Sequence, residues 1–322
     1  MTTPPLAGAA PDLTPAPTAD PRLAELARGK VAPLRHPGRW IASVLALVLL
    51  AQFVHALITN PVFQWPAFGY WFLRPVIVHG LVLTLELTGL SAALGLVGGL
   101  VLALMRLSKS PLLQAISWGY IWVFRSIPLI VLLLFLANVT ALYSSLSLGI
   151  PFGPSFLRFN ANDVLSFFVV AVLGLSLNEA AYAAEIVRSG LISVDSGQLE
   201  AAAALGLPKW RQYRRVILPQ ATRTIIPAYA NQLIGLLKGT SVVYITSLLE
   251  LFGEVETQAS TNSGQIIPLL MVGTVWYIIL TSVLSVVQYY VERYFARGAT
   301  RALPPTPLGR LRATLRTAGV VR

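Results

Sequence analysis

The chain contains no cysteine, three histidines and few charges. Without cysteine, disulfides, thiolate catalysis and Cys-based metal sites are excluded. His36, His55 and His79 stand apart, and none falls in a metal-ligating spacing such as His-Glu-x-x-His, so they read as solvated or interfacial. Charged residues make up 11% of the 322 positions, against roughly 25% in a soluble domain. Two chemical signatures are also missing. No Gly-x-x-x-x-Gly-Lys-Ser/Thr phosphate loop occurs, since Gly235-Leu-Leu-Lys238-Gly239-Thr240 has the wrong spacing and lies in an apolar run. No Gly-x-Ser-x-Gly nucleophile elbow occurs either. ATP hydrolysis and acyl transfer are therefore not expected of this chain, and it needs no cofactor of its own.

What is present is apolar sequence, 55% of the chain, gathered in long runs. A bilayer core needs about 20 apolar residues per helix. Six runs meet that length, at about 40–58, 76–105, 118–138, 164–187, 225–248 and 266–291. The expectation is an all-α polytopic membrane protein with about six transmembrane helices.

The net charge of +11 raises nucleic acid as a partner, but the distribution points elsewhere. With the N-terminus assigned to the cytoplasm, 20 of the 24 Lys and Arg residues fall inside. They lie at 22–39, at Arg106 and Lys109, from Arg188 to Arg223 and from Arg293 to Arg322. Outside loops hold Arg74 and Arg158 alone, while Arg125 and Lys238 fall within spans. This bias reports membrane orientation. It sets both termini in the cytoplasm of a multi-pass inner-membrane protein that meets anionic lipid and binds no nucleic acid.

Residues 1–38 carry eight prolines and little apolar periodicity. That composition cannot bury a core and reads as a disordered cytoplasmic tail. The run at 40–58 follows basic residues but lacks an Ala-x-Ala cleavage site, so it reads as an uncleaved anchor rather than a signal peptide. Residues 39–75 are then an extra N-terminal span with its outer loop, and 299–322 are a basic cytoplasmic tail. The 59–75 loop is rich in aromatic rings, which suit the outer membrane interface. The 140–162 loop holds Gly149, Pro151, Gly153 and Pro154 and reads as an ordered outer cap. Gly95 and Gly99 form a Gly-x-x-x-Gly pair that allows close helix packing. No internal repeat is evident.

One polar segment interrupts the spans. Asp195 can cap a helix start, with Gly197 and Gln198 in its first turn and Gln198 placed to complete a capping box. Leu199 to Leu205 are strong helix formers dominated by alanine. Gly206 supplies a left-handed stop, followed by Leu207, and Pro208 suits the first turn of a second helix. There Trp210, Tyr213 and Ile217 share one face, Lys209, Arg211 and Arg215 lie away from it, and Pro219 is expected to close the element. The result is an elbowed helix pair inside a loop at 189–224. By physical chemistry alone, an amphipathic loop resting on the membrane and a docking surface for a partner both satisfy these residues.

A resemblance decides between them. Glu200-Ala201-Ala202-x-x-x-Gly206, followed by Val216-Ile217-Leu218-Pro219, resembles the Glu-Ala-Ala loop of bacterial ABC importer permeases. Further motifs keep the same order: Phe124-Arg125-Ser126-Ile127-Pro128-Leu129, Asn178-Glu179 through Glu185 to Arg188 and Gly190, Ser193 to Gln198, Leu218-Pro219-Gln220-Ala221-x-Arg223, and Val291-Glu292-Arg293 to Gly298. They are similar to the polar amino acid branch, which includes permeases for histidine, glutamine, glutamate and opines. The likeness covers roughly 40–298. It implies a type I (MetI-like) ABC importer transmembrane domain over 76–298, with a five-span core. It further implies a coupling helix carried by Asp195, Gly197, Gln198, Glu200, Ala201, Ala202, Gly206, Leu207 and Pro219. The implied partners are an ATPase dimer that binds ATP and Mg, a second permease subunit, identical or paralogous, and an extracytoplasmic substrate-binding protein.

The chain departs from that branch at Leu132, where Gln is common, at Gly239, where Asp is common, and at Ile127, where Thr is common. These changes leave the exact cargo open. Ionisable groups within spans default to functional roles. Glu86, with Thr84 and Thr88 beside it, Glu179 and Lys238 are candidates for the substrate pathway together with Leu132 and Thr240. Lys238 needs a partner or a wet cavity, and Glu86 or Glu179 is expected to supply one. Glu185 and Arg188, at i and i+3, are expected to form a structural pair, and Arg125 a structural or loop-facing contact. An ion-coupled secondary transporter of small polar solutes is the alternative. It typically carries paired repeats and broken helices, neither of which is evident in the sequence.

Overall fold

A computed structural model describes residues 37–150 and 153–296. The expected tails, 1–38 and 299–322, fall almost wholly outside the described residues. The chain divides into two compact units, Met1–Asn60 and Pro61–Arg322. Within the first, α1 (Pro37–Thr59) is apolar on every face, and its 20-residue segment Trp40–Thr59 has a mean hydropathy of 2.4.

The second unit begins with a short turn, Pro61–Phe63, and helix α2 (Trp65–Phe72). The span helices are α3 (Pro75–Arg106), the pair α4 (Pro111–Ser126) and α5 (Leu129–Ala137), α8 (Phe167–Ile192), α11 (Leu218–Gly239) continued by a 3₁₀ turn Thr240–Thr246, and α13 (Ile266–Phe295). A shorter helix, α12 (Leu251–Thr261), precedes α13. Among the described residues four helices are long and apolar enough to cross a membrane, or up to six if each bent pair counts as one span.

The two bent pairs correct the expectation of simple spans. The third run breaks between Ser126 and Leu129, where α4 and α5 meet at 100°. Pro128 explains the break, because it has no N–H to continue the ladder and forces Ile127 into extended backbone. The carbonyl freed by that missing N–H belongs to Phe124, and the Asn178 Nδ2 amide of α8 donates to it at 2.9 Å. The second break, of 47°, lies between Thr246 and Leu251. There Ser247 turns the chain in the left-handed region at φ 63°.

Helices α3 and α8 form the centre of the bundle. Gly95 faces Glu179 and Gly99 faces Ala183, so the two helices run in the same direction. A Cβ on Gly99 would sit 2.5 Å from the Ala183 Cβ and 2.8 Å from the Ala184 nitrogen. The Gly-x-x-x-Gly pair thus acts in packing, as its spacing suggests. Tyr120 and Ser117 of α4 anchor that helix by donating to the Leu177 and Leu102 carbonyls, at 2.9 and 2.7 Å.

The aromatic loop packs more deeply than an interfacial ring belt. Trp71 is buried with Ile77, Val255 and Leu269, and its indole N–H donates to Gln265 Oε1 at 2.6 Å. Phe72 stacks on Trp276 at 4.8 Å. Among the described residues of the 140–162 loop, short helices α6 (Val139–Leu142) and α7 (Ala161–Val164) flank an antiparallel strand pair, β1 (Ser145–Gly149) with β2 (Ser155–Asn160). This small strand pair, with a bulge at Leu148/Gly149, is the one β element among the described residues of an otherwise helical protein.

Candidate functional site: the elbow and the polar interior

Helix α9 (Ser196–Ala204) opens the elbow. The Asp195 carboxylate accepts from the Gly197 N–H at 2.8 Å. The Gln198 side chain does not reach back to complete a capping box. The short Asp side chain closes onto the nearer Gly197 amide, and the Gln198 N–H bonds the Asp195 backbone carbonyl instead. At the far end Gly206 adopts φ +68°. Its N–H bonds the Ala203 carbonyl at 2.9 Å, and the Leu207 N–H bonds the Ala202 carbonyl at 3.1 Å. This pair of bonds is a Schellman stop, and glycine carries its left-handed residue without a Cβ clash. Gln212 Nε2 then donates to the Leu207 carbonyl at 2.7 Å, which fixes the elbow angle.

Pro208 caps α10 (Lys209–Gln212) rather than lying inside it. A π turn, Tyr213–Ile217, leads directly into α11. Pro219 therefore does not end the element. It occupies the first turn of α11, where a missing N–H is tolerated, and the wide turn is closed by the Leu218 N–H on the Tyr213 carbonyl. Helical backbone thus runs from Lys209 through to the 3₁₀ turn that ends at Thr246.

The elbow has two faces. Ala202 is buried, and Leu199 packs on the cluster of Val194, Ile217 and Ala221. Glu200, Ala201, Ala203, Ala204 and Leu205 are exposed, Leu205 at 79%. Of the expected apolar face of the second helix, Ile217 is buried, while Trp210 and Tyr213 are more than half exposed. Arg211 lies over the Trp210 ring at 5.4 Å. An apolar cavity of about 920 Å³ runs between Tyr213, Ile217 and Leu199 and the ends of α3 and α8.

The span residues singled out from sequence do not form one cluster. Glu179 is 1% exposed and lies in the α3–α8 interface, where its Oε2 accepts from Gln232 of α11 at 3.1 Å. Beside it Tyr229 of α11 donates to the Ala92 carbonyl of α3 at 2.6 Å. Glu86 is exposed on the far side of α3, and Thr88 is buried with its hydroxyl on the Thr84 carbonyl. Leu132 is buried in α5. Thr240 is buried with its hydroxyl on the Leu237 carbonyl. Lys238 is exposed and lines a cavity of about 340 Å³ with Phe252, Gly273, Thr274, Tyr277 and Thr281. It pairs with neither Glu86 nor Glu179. Among the described residues the one ion pair is Glu185–Arg188 at 2.8 Å, as the i, i+3 spacing suggests.

Glu250 escaped the sequence reading. It is fully buried and caps α12 by accepting from the Gly253 N–H at 3.0 Å. Its Oε2 accepts from Thr84 of α3 at 3.0 Å and from Tyr277 of α13 at 2.9 Å. One carboxylate therefore ties three helices. Gly80 makes room for it, because a Cβ there would sit 3.1 Å from the Glu250 carbonyl. The available signal was Thr84 beside Gly80 and Thr88 at helical spacing, together with an acidic residue three positions before Gly253.

These features define a helical membrane-spanning subunit with an exposed, rigidly capped elbow. The sequence pattern of binding-protein-dependent transport system inner membrane components matches residues 95–300. The chain belongs to that family, the permease subunits of ABC importers. It is 43% identical over 281 residues to the arginine transport system permease protein ArgU of Corynebacterium glutamicum, covering 87% of each chain. It is 35% identical to the glutamate/aspartate import permease protein GltK of Escherichia coli O6:H1, over 68% of this chain and 93% of that one. Among solved structures, an amino acid ABC transporter described with histidines is similar at 31% identity and a TM-score of 0.58, over 68% of this chain and 94% of that one. The inward-facing MetNI methionine ABC transporter, at 22% identity and a TM-score of 0.52 over 69% and 97% of the two chains, shares the fold. Family membership decides against the secondary transporter, although two of the helices are broken after all.

Proposed function

We propose that the chain carries polar amino acids inward across the cytoplasmic membrane, driven by ATP that a separate ATPase dimer binds with Mg and hydrolyses. The observation that carries this reading is the α9 elbow: one face buried against its own bundle, the other exposed with alanines that let a partner backbone approach closely. Relatives named for arginine and for glutamate/aspartate transport support the cargo class. Both tails lie on the elbow side, as the distribution of basic residues favours.

In this account Glu200, Ala201 and the exposed end of α9 meet the ATPase. Asp195, Gly197, Gln198, Gly206 and Leu207 hold α9 rigid, Ala202 seats it, and Pro219 starts the lever. Because helix continues from Lys209 into α11, a push on the elbow moves the span with it. ATP biases the inward–outward equilibrium only through its different affinity for the two states. Glu86 and Lys238, exposed in the isolated subunit, face the pathway or the second permease subunit, where a membrane charge needs water or a partner. Glu179, Thr88, Leu132 and Thr240 shape the helices behind them. A substrate-binding protein delivers cargo at the β1–β2 end.

The test is co-purification of the full chain with the candidate ATPase, followed by radiolabelled arginine uptake in proteoliposomes competed by other amino acids. ATP-dependent uptake competed by polar amino acids is the expected result. Uptake that proceeds without the ATPase contradicts the reading.

A further inference from the structure

A second cavity, of about 340 Å³, lies at the corner where α3 ends and α4 bends. Arg106, Trp118, Trp122, Arg125, Ser126 and Glu185 line it. The geometry points to a binding site for one anionic phospholipid, whose headgroup phosphate sits between the Arg106 and Arg125 guanidinium groups.

Charge comes first. Arg188 donates twice to Glu185, at 2.8 and 3.1 Å, so that carboxylate is already neutralised. Arg106 and Arg125 stand in no ion pair among the described residues, which leaves the pocket with two cations. Arg125 is held over the Tyr182 ring at 5.2 Å rather than left free. Guanidinium groups suit phosphate because their planar donors bind two oxygens at once.

The indoles set the ligand class. Trp118 and Trp122, one turn apart on α4, stack with centroids 6.1 Å apart and planes within 4°, and both are more than half exposed. Exposed indoles at a span end favour the headgroup level, and they present a flat apolar wall to glycerol and upper acyl carbons. Free phosphate has no use for that wall, whereas a phospholipid fills both halves of the cavity. Basic pockets between transmembrane helices bind anionic headgroups on the cytoplasmic side, which is where the proposed orientation puts this corner.

The test is native mass spectrometry of the delipidated full chain. It is titrated with phosphatidylglycerol, with phosphatidylcholine of the same acyl chains, and with inorganic phosphate. The first phosphatidylglycerol is expected to bind at least ten-fold tighter than phosphatidylcholine. Arg106→Gln and Arg125→Gln should each weaken it about five-fold, and the double variant about 25-fold, with about 1 kcal/mol per cation as the basis. Arg211→Gln/Arg215→Gln, on the elbow, should leave that first lipid unchanged. If the double variant does not fold, the single variants carry the test. Equal binding of the two lipids by the wild-type chain, unchanged affinity in the Arg106 and Arg125 variants, or displacement of the lipid by equimolar inorganic phosphate overturns the proposal.

Discussion

The Asn178 side-chain amide donates to the Phe124 carbonyl at 2.9 Å, the carbonyl that Pro128 has no N–H to satisfy. Two motifs more than 50 residues apart are thus halves of one device that stabilises a 100° bend. Asn178→Leu keeps the volume and removes the donor. It should cost about 1 kcal/mol, the net contribution of one hydrogen bond at a half-buried carbonyl, seen as a lower unfolding midpoint in detergent. An unchanged midpoint would show that water or another group serves Phe124.

The glycines of α3 should separate by what they face. Gly99→Val must displace Ala183 or the Ala184 backbone, and overpacking of this kind costs about 1–3 kcal/mol. Gly89 has open space around its Cβ position, so Gly89→Ala should leave stability within about 0.5 kcal/mol or raise it slightly. Thermal denaturation of the two variants side by side checks the contrast.

Glu250 should matter more to assembly than any exposed acid. Glu250→Gln leaves one accepting oxygen where the Gly253 N–H uses one carboxylate oxygen and Thr84 and Tyr277 use the other, so at least one of these bonds is lost, and bonds to a charged group contribute about 1.5–3 kcal/mol each. Glu256, exposed on the same helix, provides the control: Glu256→Gln should change stability by less than about 0.5 kcal/mol. Similar midpoints for the two variants would remove Glu250 from its place as a three-helix tie.

Lys238→Met and Glu86→Gln should fold and assemble, since both side chains are exposed and neither is in an ion pair among the described residues. Uptake should fall in each, by about ten-fold if one hydrogen-bonded charge pair worth roughly 1.4 kcal/mol with cargo is lost. Unchanged KM and maximal rate in both would move the pathway away from these residues.

Much of the architecture was legible because the bilayer imposes long apolar runs, and those at 76–105 and 266–291 match α3 and α13 within a few residues. The elbow was legible because Gly206 and Asp195 act through local backbone chemistry. The breaks were harder. Pro128 announces a break, but the partner of the carbonyl it frees, Asn178, is hidden by sequence separation. Pro219 misled for a related reason: proline ends a helix from within yet begins one from its first turn, and the π turn before it leaves no mark in hydropathy. Glu179 read as a membrane acid, whereas Glu250, two residues past the run at 225–248, drew no reading at all. Only the packing of Gly95 and Gly80 against them shows that each is enclosed by neighbouring helices.

The most direct measurement of the central claim is ATP-dependent amino acid uptake by the reconstituted complex carrying Glu200→Arg. Glu200 is exposed on α9 and lies outside the apolar cluster of Val194, Ile217 and Ala221 on which Leu199 packs. The variant is expected to purify with wild-type stability, to lose the ATPase on gel filtration and to lose ATP-driven uptake by at least ten-fold. Wild-type uptake together with full ATPase binding in that variant would contradict the coupling role of the elbow.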